Sequence, residues 1–137
     1  MNATEQATNI EMASKIATIV NTFRRTFPEV TADLSPWLMD DWQTAKLKDA
    51  NSIDIAFHFP TYSLSCHCYS LLIQLRLHRD NSTAYKAIGI EASGYDYCGQ
   101  QWRFSTIGEW AFEGMTQPST EECTKLISIF RQILQLF

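Results

Sequence analysis

Two stretches at the ends of the chain repeat apolar residues at helical spacing, and the middle alternates them at strand spacing. Near the start, Ile10, Ala13, Ile16, Ala17, Val20, Phe23 and Phe27 recur at steps of three and four, with Glu11, Lys15, Thr18, Thr22 and Arg25 between them. That period predicts an amphipathic helix. Thr8 or Asn9 can cap it, Arg24 and Arg25 complement its C-terminal dipole, and Pro28 ends it. Near the finish, Ser119 and Glu122 have the spacing of a capping box. Cys123, Leu126, Ile127, Phe130, Ile133, Leu134 and Phe137 form the apolar stripe of a second helix.

Between them the period falls to two. Ile53, Ile55, Phe57 and Phe59 alternate with Asp54, Ala56 and His58, and Pro60 closes the run. Tyr69, Leu71, Ile73, Leu75 and Leu77 share one parity, opposite Ser70, Leu72, Gln74, Arg76 and His78. These are half-buried strands. A turn at Asp80-Asn81-Ser82 leads to a strand over 84–92, then a strand over 101–106 and a short one over 110–112. The connection from Glu29 to Asn51 reads as mostly irregular, with one helical turn opened by Ser35-Pro36 and pinned by Trp37, Leu38 and Trp42. Strand connections this short permit only antiparallel neighbours. The expected fold is α+β: one domain over residues 1–137, an antiparallel meander of four to five strands, and both terminal helices on its one strongly apolar face. Residues 1–8 are polar and expected to be disordered.

The charge balance narrows the function. Net charge is −4, with 15 acidic against 11 basic residues. A nucleic-acid surface needs a basic stripe, and Arg24-Arg25 is the only adjacent basic pair. No apolar run exceeds three residues, too short for a membrane-spanning helix. Four cysteines without a secretory leader point to free thiols in the cytoplasm. The expected partner is therefore neither nucleic acid nor membrane.

Chemistry-bearing strings are sparse. Cys66-His67-Cys68 places two thiols about 7 Å apart on one strand, closer in sequence than zinc chelation favours. Completing a site would need Cys98, His58 or His78, so no metal is expected. Cys123 lies on an apolar stripe, where burial suppresses thiolate formation. The glycines form no phosphate-binding loop, and neither a serine-hydrolase elbow nor a zinc-protease motif occurs. No cofactor is expected. Asp54, His58, Arg76 and Arg103 share the polar sheet face and offer acid–base chemistry if they converge; the simpler reading is a solvated face.

Gly94 to Gly114 encloses six aromatic residues: Tyr95, Tyr97, Trp102, Phe104, Trp110 and Phe112. Tyr95 and Tyr97 fall in a turn, where rings are hard to bury, and suit a contact surface. The expected function is non-catalytic protein binding, in the manner of an adaptor or chaperone, with Tyr95, Tyr97, Trp102, Trp110, Arg76, Arg103 and His58 as candidate contacts. Self-association is the expected assembly, as a twofold dimer matching the Leu72 row of the sheet to itself. One alternative is a small-ligand pocket between sheet and helices, walled by Trp37, Trp42, Trp102 and Trp110. The other is an acid–base enzyme on the polar face.

Overall fold

A computed structural model of the chain describes residues 1–37, 50–79 and 85–137. Trp42, the rest of the expected helical turn after Trp37, and the turn at Asp80-Asn81-Ser82 lie outside the described residues. The elements are α1 (Ala3–Gln6), α2 (Ile10–Thr26), β1 (Thr31–Asp33), β2 (Ser52–Ser63), β3 (Cys68–Arg79), β4 (Tyr85–Asp96), β5 (Gly99–Ser105), β6 (Ala111–Gly114) and α3 (Thr120–Leu134). All neighbouring strands pair antiparallel, in the order β1-β2-β3-β4-β5-β6. The α+β meander with a helix at either end is therefore present, with six strands rather than four or five.

The additional strand is β1, inside the connection expected to be irregular. Thr31, Ala32 and Asp33 pair with His58, Phe57 and Ala56. Three residues are too few to show an alternation, so only pairing with β2 reveals the strand. Residues 1–8, expected to be disordered, carry the short helix α1 and dock on the other half of the same edge. Asp54 N donates to Met1 O at 2.9 Å, and Gln6 Nε2 donates to the carbonyls of Ala50 and Ser52. Ala3 is fully buried. Polar composition hid this order, because the anchoring is by hydrogen bonds.

Both long helices pack on one sheet face. Phe23 of α2 stacks on Phe57 of β2, with centroids 4.0 Å apart. Phe130 of α3 stacks on Phe104 of β5 at 5.1 Å. Ile53, Ile55, Leu71, Ile73, Leu75 and Ile90 complete the layer between them. The caps fall where the sequence places them. Asn9 accepts from Met12 N at 2.8 Å, and Ser119 accepts from Glu122 N at 3.3 Å. The capping box closes on one side only, because Ser119 N donates to Ser65 O.

The buried stripe of α2 is rotated from the expected one. Met12, Ile16, Ile19 and Phe23 face the sheet, while Ile10 is exposed. Ala13, Ala17 and Val20 instead line a shallow apolar groove with Ala3 and Leu34. The apolar arc of this helix is broad enough to serve both contacts, and periodicity alone does not say which edge meets the sheet.

Gly94 sits inside β4, and the Trp102 indole lies directly against it. A Cβ there would come within 2.3 Å of Trp102 Nε1. Trp102 is buried, and its indole N–H donates to Cys66 O at 2.8 Å. One ring therefore locks the β2–β3 turn, β4 and β5 together.

Two stability changes follow from this packing. Phe130→Ala should cost about 3–5 kcal/mol in chemical denaturation, and a loss below about 1 kcal/mol would place that ring outside the core. Gly94→Ala should cost about 1–3 kcal/mol by forcing the indole off its seat; unchanged stability would contradict the contact.

Candidate functional site

Among the described residues, three of the six large apolar side chains left exposed lie at one end of the sheet, the others being Ile10, Ile88 and Ile107. In the β2–β3 turn Leu64 is 80% exposed; in the β4–β5 turn Tyr97 is 87% exposed; after β6 Met115 is 93% exposed. Strand pairing makes these distant segments neighbours. Tyr62 packs edge-on against Tyr69 with centroids 5.1 Å apart, and Tyr69 lies against Tyr97 at 4.4 Å. The Tyr69 phenol is raised above its ordinary value, because its O–H donates to Tyr97 and that hydrogen bond holds the proton.

Backbone hydrogen bonds hold the third segment in place. Ser119 N donates to Ser65 O at 2.8 Å, and Thr116 N donates to Gln101 O at 3.4 Å. His67, held at a positive φ of 54°, lies with Nδ1 2.6 Å from Gln117 O. Gln101 Nε2 in turn donates to Asp96 Oδ1 at 3.0 Å. Segments 61–67, 95–101 and 113–119 thus form one surface. They contain the carboxylates Asp96 and Glu113 and no lysine or arginine.

The opposite face of the sheet is polar, and Trp37, shortly after β1, lies against it. Trp37 is clamped by the Asn2 side chain, which accepts from Trp37 N at 3.0 Å and donates to Trp37 O at 3.1 Å. Its indole N–H donates to Asp54 Oδ2, which also lies 2.9 Å from the Met1 amino group. Asp54 is fully buried, and its Oδ1 has no hydrogen-bond partner; nor does Nε2 of Gln74, its cross-strand neighbour.

The four polar residues suggested for acid–base chemistry are not brought together. Asp54 is four residues along β2 from His58, about 13 Å by strand rise, and serves Trp37 instead. Arg76 pairs with Glu91 at 2.9 Å. Arg103 is exposed beside Glu91, Glu109 and Glu113 in a cavity over β5 and β6. His58 has different partners: Nδ1 lies 2.7 Å from Ser70 Oγ, and Nε2 lies 3.4 Å from Asp33 Oδ2.

The indoles do not share a cavity either. Trp102 is in the core; Trp110 is half-buried with the Arg131 guanidinium 5.4 Å from its ring centre. Trp37 lines a separate pocket over the polar face with Tyr95 and Leu72. Leu72, the proposed self-matching contact, is only 7% exposed in a single chain, so that row offers no free apolar patch.

The cysteines are unpaired. Burial pushes the Cys66 thiol up to about 11 and the Cys68 thiol up to about 12, and burial also raises Cys123. Among the described residues no cluster of histidine, cysteine and carboxylate groups is arranged to hold a metal. No helix of the described residues is long and apolar enough to cross a membrane.

Residues 4–137 match the model of a family described as a domain of unknown function. The chain belongs to that family. No curated protein and no solved structure matches it. The match thus spans both long helices and the six strands of the described residues, including the exposed end of the sheet and the polar-face pocket.

The thiols provide a test of this arrangement. At neutral pH, Cys98 should react with a disulfide reagent in the folded chain, whereas Cys66 and Cys68 should react only on unfolding. Folding raises both buried thiols above the ordinary value of 9.0, so their contribution to stability is complete below pH 9 and is lost as pH rises through 11 to 12. Rapid native modification of Cys66 or Cys68 would contradict their burial.

Proposed function

We propose that this domain binds another protein through the exposed end of its sheet, and that the partner presents an apolar segment flanked by basic side chains. The observation that carries the reading is the joint exposure of Leu64, Tyr97 and Met115 on one surface. Single exposed apolar residues are common, but a contiguous group around a tyrosine ladder is the composition of an interface centre. Tyrosine offers a large contact area at low conformational cost and is enriched among energetically dominant interface residues. Asp96 and Glu113, with no lysine or arginine in the three segments, favour a partner of opposite charge. The reading assigns Tyr97 and Tyr95 different roles: Tyr97 is a contact, and Tyr95 belongs to the neighbouring pocket.

A protein of this kind works in a reducing compartment, where four unpaired thiols persist, and we place it in the cytoplasm on that ground. Self-association remains a competing assembly, now through the same end and not through Leu72. Facing copies would oppose Asp96 and Glu113 to their own equivalents, which disfavours it.

The test compares the parent chain with Leu64→Asp and Tyr97→Asp, both at exposed positions that leave the core intact. Proteins crosslinked to the parent in cells are identified, then one is purified and titrated directly. Each substitution should weaken that binding at least about tenfold, as for a central interface residue, with thermal stability unchanged. Equal affinity of parent and variants would overturn the proposal. So would a parent that sediments as a dimer at micromolar concentration and becomes monomeric on Tyr97→Asp.

A further inference from the structure

Next to the tyrosine ladder, on the polar face, three strands bring a hydroxyl, an imidazole and a carboxylate into one hydrogen-bonded row. His58 of β2 pairs with Ser70 of β3 on one side and Thr31 of β1 on the other. Ser70 Oγ is 2.7 Å from His58 Nδ1, and Asp33 Oδ2 is 3.4 Å from His58 Nε2. One neutral tautomer satisfies both contacts. With its proton on Nε2, the ring donates to Asp33 and accepts the Ser70 hydroxyl proton at Nδ1. Ser70 therefore has a base aligned on its proton, and the base has an acid that fixes its tautomer.

The row borders a pocket. Its volume is about 240 Å³, with Pro36, Trp37, Ala56 and Leu72 as apolar walls and Tyr95, the cross-strand neighbour of Ser70, at the polar side. A small, mostly apolar groove with a few polar groups at one side suits a short acyl group. We propose that Ser70 is an activated nucleophile that cleaves small carboxylic esters, independently of protein docking at the neighbouring end.

The atoms balance without a cofactor. Ser70 Oγ adds to the ester carbonyl carbon as its proton passes to His58 Nδ1. The adduct collapses, the bond to the leaving alcohol breaks, and that alcohol takes the proton from His58. Water then adds to the acyl-Ser70 carbonyl while His58 accepts a water proton. The Ser70 ester bond breaks, Ser70 recovers a proton from His58, and the carboxylic acid leaves. Asp33 takes no proton from the reacting groups and acts as a positioning residue.

The purified full chain is treated with p-nitrophenyl acetate and, separately, with a fluorophosphonate probe. A single fluorophosphonate adduct should map to Ser70 by peptide mass spectrometry. Ser70→Ala should abolish it and lower ester cleavage at least about tenfold, leaving the slow reaction of exposed imidazoles; His58→Gln should lower ester cleavage toward the same residual level. Ser70→Cys, which retains a nucleophile, should accumulate an acetyl thioester. For Asp33, nitrogen chemical shifts of the His58 ring should report the Nε2–H tautomer in the parent and its loss in Asp33→Asn. Absence of an adduct at Ser70, or equal ester cleavage by parent and Ser70→Ala, would overturn the proposal and leave the row as a structural cross-strand contact.

Discussion

The stacking of Phe23 on Phe57 and of Phe130 on Phe104 fixes both long helices to the same side of the sheet. An antiparallel sheet buries one face readily and leaves the other to be solved separately. Here the second face is solved with polarity. Asp54, Gln74, Arg76 and Glu91 occupy it in register, and Trp37 lies across its β1 side, tied to buried Asp54 and to Asn2. At one end the N-terminus of α3 reaches the β2–β3 turn at Ser65 and covers Cys66, but the tips of the turns stay uncovered. That is why Leu64, Tyr97 and Met115 remain in solvent while similar side chains a few residues away are fully enclosed.

Regular elements were legible wherever the hydrophobic period had room to repeat. The alternation from Ile53 to Phe59 and from Tyr69 to Leu77 marks the interiors of β2 and β3, and both long helices begin at their expected caps. Legibility failed where structure depends on a distant partner. β1 has three residues and exists through its ladder with β2. The order of residues 1–8 depends on hydrogen bonds to Ala50, Ser52 and Asp54. The need for glycine at position 94 comes from Trp102, eight positions later, which occupies the space above it.

The same distinction governs the sites. Tyr97 was recognisable because a ring in a turn is hard to bury. Leu64 and Met115 are isolated apolar residues among polar neighbours, a pattern with no period to detect, and only the register of β2 to β6 makes them one surface. His58 was recognisable as a polar-face imidazole, but its acid is Asp33, supplied by the strand that periodicity could not reveal. Asp54, which shares the parity of His58, is committed to Trp37 instead. Spacing along a single strand identified the face correctly and the partners incorrectly, because partners are set by neighbouring strands.

The central claim is that the exposed end of the sheet is where a protein partner sits. Amide hydrogen exchange on the chain, alone and with its bound partner, tests it most directly. The account predicts that slowing of exchange is concentrated in three segments far apart in sequence, 61–67, 95–101 and 113–119, with the outward faces of α2 and α3 unchanged. Slowing confined to α2, α3 or the β5–β6 edge, with those three segments unaffected, would contradict it.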